Sequence, residues 1–101
     1  MFQEYTLGKE ERQKLTGALA KNLKSYRCAC GWSQENLADI IGVTRQTILS
    51  VENGKREMTW TMFLAFLLLF LSNEKTRSEL KNSGVLTAQL AEFLGLDEKI
   101  F

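Results

Sequence analysis

Apolar residues recur at helical spacing along most of this chain, and polar or glycine breaks separate the repeats. Leu15, Leu19, Leu23 and Tyr26 follow a four, four, three spacing, so they share one face of a helix. That pattern predicts a first helix from about Lys9 to Cys30, after a loose lead-in over residues 1–8 and before Gly31 as a stop. Gly17 weakens its middle, which leaves open whether the helix runs through, breaks there or begins there. Leu37 and Ile41 are four apart, and Ile48 and Val51 are three apart. They predict two short helices, Gln34–Ile41 and Arg45–Asn53, joined by a turn at Gly42, a residue that takes positive φ without steric cost. Thr44 is a good N-cap, with Val43 and Ile48 placed as a hydrophobic staple, and Trp32, Ser33 and Leu37 repeat the arrangement one helix earlier.

Asn53-Gly54 closes the third predicted helix, and Lys55 and Arg56 follow at once. A fourth helix starts near Trp60, with Thr59 as its cap, and reads MFLAFLLLFL from Met62 to Leu71. This run is too short for a membrane span, which needs about 20 residues. A helix apolar on every side must be covered on every side. The first three helices cover one face, so Trp60, Phe63, Phe66, Leu67 and Phe70 are expected to pack against the C-terminal segment, a second subunit or both. NEKTRSELKNSG is then either a short helix or an extension of the fourth. Thr87 caps a last helix carrying Leu90, Phe93, Leu94 and Leu96, stopped by Gly95. Ile100 and Phe101 suggest a docked terminus. The expected fold is all-α, a small bundle of five to six helices. It forms one domain over 1–101, with a core over 9–71 and a helical extension over 72–101.

Residues 33–56, SQENLADIIGVTRQTILSVENGKR, resemble the helix-turn-helix of the phage-repressor and Cro-like regulators, the Xre family. The pieces that carry the likeness are SQENLA, the turn IGVTRQTI and the tail ENGKR, and it extends more weakly over about residues 20–71. The resemblance implies a lambda-repressor-like domain that binds double-stranded DNA. In that family an Arg near the end of helix 1 pairs with the Glu of the tail beside a phosphate, which implies an Arg27–Glu52 ion pair here. It likewise places Gln34 against the DNA backbone, at a helix start whose free N–H groups suit a phosphate. Ser33, Thr44, Asn53, Lys55 and Arg56 complete the expected phosphate contacts. A polar helix face is usually only a solvated face. Position on the second helix of this motif assigns Arg45, Gln46, Thr47 and Ser50 to base edges, where Arg suits guanine, Gln suits adenine and a Thr methyl meets a thymine methyl. Leu49 packs on the fourth helix or stays partly exposed. Many relatives carry a Pro shortly after the tail, and this chain has none.

Charge supports the same stretch. The formal net charge is +1, but residues 1–11 carry −2, residues 12–56 carry +5 and residues 57–101 carry −2. The basic excess coincides with the motif and favours phosphate contact, although a solvated face is the bland alternative. For Lys21 and Lys24, helix solubility and DNA contact weigh equally.

Other chemistry is scarce. The 101 residues include no His, so no imidazole is present for acid-base work or metal ligation. Cys28 and Cys30 lie two apart on different helix faces, which suits neither a mutual disulfide nor a zinc site. They read as reduced structural thiols, with redox sensing the lesser alternative. No catalytic constellation, cofactor loop or metal set is visible. MFQEYTLGKEER has no apolar core of a signal peptide, so a cytoplasmic protein is the default. The leading expectation is a sequence-specific transcriptional regulator, a repressor binding an inverted-repeat operator as a homodimer. Two alternatives stand beside it: an antitoxin-type regulator with a protein partner, and a protein-interaction module that keeps the fold without binding DNA.

Overall fold

In the computed structural model, residues 7–95 are described, and they form six helices with no strand among them. The helices are α1 (Lys9–Ala29), α2 (Gln34–Ile41), α3 (Arg45–Glu52), α4 (Trp60–Leu71), α5 (Glu74–Asn82) and α6 (Ala88–Leu94). The fold is a small all-helical bundle.

Local chemistry sets most of the boundaries. Ser33 accepts from the Asn36 N–H at 3.0 Å while the Asn36 side chain accepts from the Ser33 N–H at 3.1 Å, a reciprocal cap on α2. Thr44, Thr59, Asn73 and Thr87 cap the later helices by a single bond each, the hydroxyl or amide oxygen accepting a first-turn N–H. Gly42 ends α2 at φ 80°, where its N–H and that of Val43 both reach the Ala38 carbonyl, at 2.9 and 3.0 Å. This left-handed residue turns the chain sharply enough to bring α3 back across α2.

α1 runs unbroken through Gly17. It and α3 each end one residue before the expected limit, since Cys30 and Asn53 are the C-caps. Leu7, assigned above to a loose lead-in, is 3% exposed and belongs to the core. Leu96, Ile100 and Phe101, on which the expected docking of the terminus rests, lie outside the described residues.

α4 is the centre of the bundle. α1, α2 and α5 all pack on it. Phe63, Phe66 and Phe70 are wholly buried and Leu67 nearly so, while Trp60 is half-buried. A second copy therefore has no access to those four side chains: the chain's own helices cover them. The part of α4 left outside is the ridge through Leu68, which is 72% exposed.

The segment after α4 is a separate helix, because Ser72 caps α4 and Asn73 restarts the chain as the N-cap of α5. α5 then serves α4 chemically. Thr76 Oγ1 donates to the Phe70 carbonyl at 2.7 Å and Arg77 Nε to the Leu71 carbonyl at 2.8 Å, satisfying end groups that the helix itself leaves open. Tyr26 of α1 reaches across to α5, donating to the Glu79 carbonyl at 3.3 Å and meeting the Ser83 hydroxyl.

Candidate nucleic-acid interface

α3 carries the exposed polar face of this region. Ile48 and Val51 point inward and are at most 1% exposed, which turns the opposite side of the helix outward. Arg45 and Gln46 lie exposed on its first turn, and Thr47 and Ser50 are half-exposed beside them. Small hydrogen bonds order this surface. Thr44 Oγ1 accepts from the Thr47 N–H at 3.2 Å and lies 2.9 Å from Thr47 Oγ1. Gln46 Nε2 donates to Ser50 Oγ at 3.3 Å, one turn along the same face.

The tail after α3 folds back on the helix. The N–H groups of Lys55 and Arg56 both donate to the Ser50 carbonyl, at 2.9 and 3.2 Å. Arg56 Nη1 also donates to Thr47 Oγ1 at 3.2 Å, so a basic side chain of the loop is laid along the exposed face. Asn53 and Lys55 are exposed next to it.

Glu52 ties three helices together from behind. It accepts from Arg27 Nε at 2.7 Å and Arg27 Nη2 at 3.1 Å, a bidentate fork from α1, and from Gln34 Nε2 of α2 at 3.1 Å. Arg27 Nη1 donates to the Trp32 carbonyl at 3.0 Å. Both charged side chains are shielded, at 10% and 3% exposure. The Glu52 hydrogen bond pushes the Arg27 pKa up, with burial opposing it, so the guanidinium is charged throughout. One carboxylate thus fixes the ends of α1, α2 and α3 relative to one another, and with them the angle at which Arg45 and Gln46 are presented.

Residues 23–59 match the family model described as helix-turn-helix. The segment fits the phage-repressor and Cro-like type. This stretch is a helix-turn-helix. Two curated relatives are similar over it. An uncharacterized HTH-type transcriptional regulator of Bacillus subtilis (strain 168), YgzD, is 42% identical over 36 residues, which cover 36% of this chain and 54% of that one. An uncharacterized HTH-type transcriptional regulator of Methanocaldococcus jannaschii, MJ0272, is 46% identical over 37 residues, covering 37% of this chain and 56% of that one. The chain spans about half the length of these relatives. No solved structure matches it.

Within the helix-turn-helix, the structure brings Arg45, Gln46, Thr47, Ser50, Lys55 and Arg56 to one surface. Arg27, Glu52 and Gln34 sit behind it as a hydrogen-bonded cluster. The hydroxyls of Ser33 and Thr44 and the side-chain amide of Gln34 are engaged within the chain. Any contact those hydroxyls and that amide make with a phosphate is shared with these bonds. Two links were invisible in the sequence, Gln34 to Glu52 and Arg56 to Thr47. Each joins residues of unlike type across a turn, and no periodicity marks either.

The two cysteines belong to the end of α1. Both are free thiols, Cys28 exposed and Cys30 half-buried. Burial pushes the Cys30 thiol up, and a hydrogen bond with Thr76 partly offsets it. Among the described residues no group of three or more metal-binding side chains occurs, and no helix is long and apolar enough to cross a membrane.

Proposed function

We propose that this chain is a cytoplasmic, sequence-specific DNA-binding transcriptional regulator, a repressor that binds an inverted-repeat operator as a homodimer. The observation that carries the reading is the Glu52 cluster. A buried, bidentate ion pair joined by a third helix is an expensive way to hold three helix ends, and its effect is to fix an exposed basic helix face. On this reading Arg45, Gln46, Thr47 and Ser50 meet base edges in the major groove. Lys55 and Arg56, with Asn53, Ser33, Gln34 and Thr44, lie along the phosphates and set register without reading sequence. Two copies present their α3 helices to successive major grooves, roughly 34 Å apart. The homodimer is assigned to the ridge through Leu68, because Phe63, Phe66 and Phe70 of α4 are inside the chain.

The antitoxin-type alternative draws on the same exposed apolar groups. Leu68 is 72% and Ile40 49% exposed, and a protein partner covers them as well as a second copy does. Co-purification with a second polypeptide separates the two.

The test is a selection of binding sites from random duplex DNA, run on wild type and Arg45→Ala together. The expected result is an inverted repeat from wild type, with preference lost at one base pair in the variant and a cost of about 1–3 kcal/mol at that position. Salt-sensitive but unselective binding refutes sequence recognition. No binding at low salt refutes the DNA reading altogether.

A further inference from the structure

A cavity of about 550 Å³ lies between the first half of α1 and the connection from α3 to α4. Among the described residues, its walls carry three cationic side chains, Lys9, Arg12 and Arg56, against one carboxylate, Glu57. Such a wall favours a negatively charged occupant.

Two further observations point to a ligand. The first is Arg12. Its guanidinium carbon sits 5.3 Å from the centroid of the Trp60 ring, and that ring stacks on Phe63 at 4.8 Å. The platform holds the head group in place, yet Arg12 Nε is shut off from water and has no hydrogen-bond partner. That donor is closed to solvent and to a ligand alike, but the two Nη groups are not shut off and carry no hydrogen bond of their own among the described residues, so they are free to meet an outside acceptor. The second is Gly17, which lines the same cavity in mid-helix. A Cβ placed there meets nothing within 4 Å, so packing does not require glycine. Glycine is also a poorer helix former than alanine. What the missing side chain does is leave the cavity wall open.

Arg56 links this cavity to the α3 surface. It lines the cavity, and it also donates to Thr47 Oγ1 on α3. An anion in the cavity and the α3 face therefore compete for one guanidinium.

We propose that the cavity binds a small organic anion, a carboxylate or a phosphate monoester, through Arg12, Lys9 and Arg56, and that its binding draws Arg56 off Thr47 and weakens DNA binding. Planar guanidinium forks suit both anion types. The DNA half of this proposal rests on the function proposed above, and the anion half does not.

The experiment titrates the full chain with phenyl phosphate and, separately, with benzoate, following tryptophan fluorescence and the backbone amide shifts of residues 12, 17, 54 and 56. Saturable binding of one probe is expected, and which probe binds names the anion class. Arg12→Gln and Gly17→Leu are each expected to weaken it about tenfold or more, since a hydrogen bond to a charged group or the space itself is lost. Thermal unfolding checks that both variants are folded. If Arg12→Gln does not fold, Lys9→Gln on the exposed first turn replaces it. In DNA titrations at saturating probe, wild-type affinity should fall about fivefold or more, and Arg12→Gln should not respond. Absence of saturation by both probes, or variants that bind as tightly as wild type, overturns the site. Anion binding that leaves DNA affinity unchanged overturns the coupling through Arg56. A chain that binds the anion but no DNA refutes the regulator reading and leaves the site standing.

Discussion

Replacing Glu52 by alanine should be among the most damaging single changes to this fold. The carboxylate accepts three hydrogen bonds, two from the Arg27 fork and one from Gln34. With it gone, Arg27 keeps only the Trp32 carbonyl, and its charge is left in a setting where the side chain is 10% exposed. Removing one partner of a buried pair costs about 3–5 kcal/mol, and the slight access of water to Arg27 places this case near the lower end, about 3 kcal/mol. A domain of this size has about 5–15 kcal/mol of stability in all, so the loss is a large share of it. Urea unfolding followed by circular dichroism is the assay. The midpoint should drop by about 1–3 M with an unchanged slope.

The paired change Arg27→Met with Glu52→Leu removes both charges together. It should recover most of the loss, to within about 1.5 kcal/mol of wild type, because an apolar pair of similar size needs no desolvation. The two changes are then strongly non-additive in a double-mutant cycle. The paired variant also separates structure from recognition. A guanidinium has five N–H donors, and the contacts to Glu52 and Trp32 use three. If a remaining donor reaches a phosphate, the paired variant folds yet binds DNA more weakly, with a salt slope lower by about 1. A loss below about 1 kcal/mol for Glu52→Ala would refute the reasoning, as would additive effects of the two charge removals.

Three further outcomes follow from the geometry. Gly42→Ala should lower stability by about 1 kcal/mol in thermal unfolding, because φ is +80° and a Cβ there meets no neighbour, so backbone strain is the whole effect. Leu68→Glu should leave the unfolding midpoint within about 0.5 kcal/mol of wild type, as suits a surface position, while sedimentation shows the dimer dissociating; an unchanged dimer moves the interface elsewhere. Stability should fall as pH rises through the ordinary thiol range, because the unfolded chain ionises Cys30 there while the folded chain, whose thiol is pushed up by burial, does not. That contribution is fully present below the unfolded thiol pKa and is gone above the folded one. Cys30→Ala should flatten this alkaline slope in urea midpoints, and Tyr26, raised mainly by burial, adds a similar decline at still higher pH.

Helix existence and most helix limits were legible in the sequence, because they rest on local chemistry. Ser33, Thr44, Thr59 and Thr87 are caps whatever the rest of the chain does, and Gly42 and Gly95 can end helices because glycine enters the left-handed region cheaply. The spacing of Leu37, Ile41, Ile48 and Val51 likewise marked two crossing helices before any packing was known. Tertiary structure decided what those helices are for. Sequence showed that α4 needed cover on every side, but only packing showed that α1, α2 and α5 supply most of it and leave Leu68 outside. Family likeness suggested that Arg27 meets Glu52, yet the third partner, Gln34, lies 18 positions from Glu52 and follows from no repeat. The cavity joining Arg12, Gly17 and Arg56 is of the same kind, assembled from residues up to 51 positions apart. Caps and periodicity are written within a few neighbouring residues, whereas a shared partner or a shared void exists only once distant segments have met.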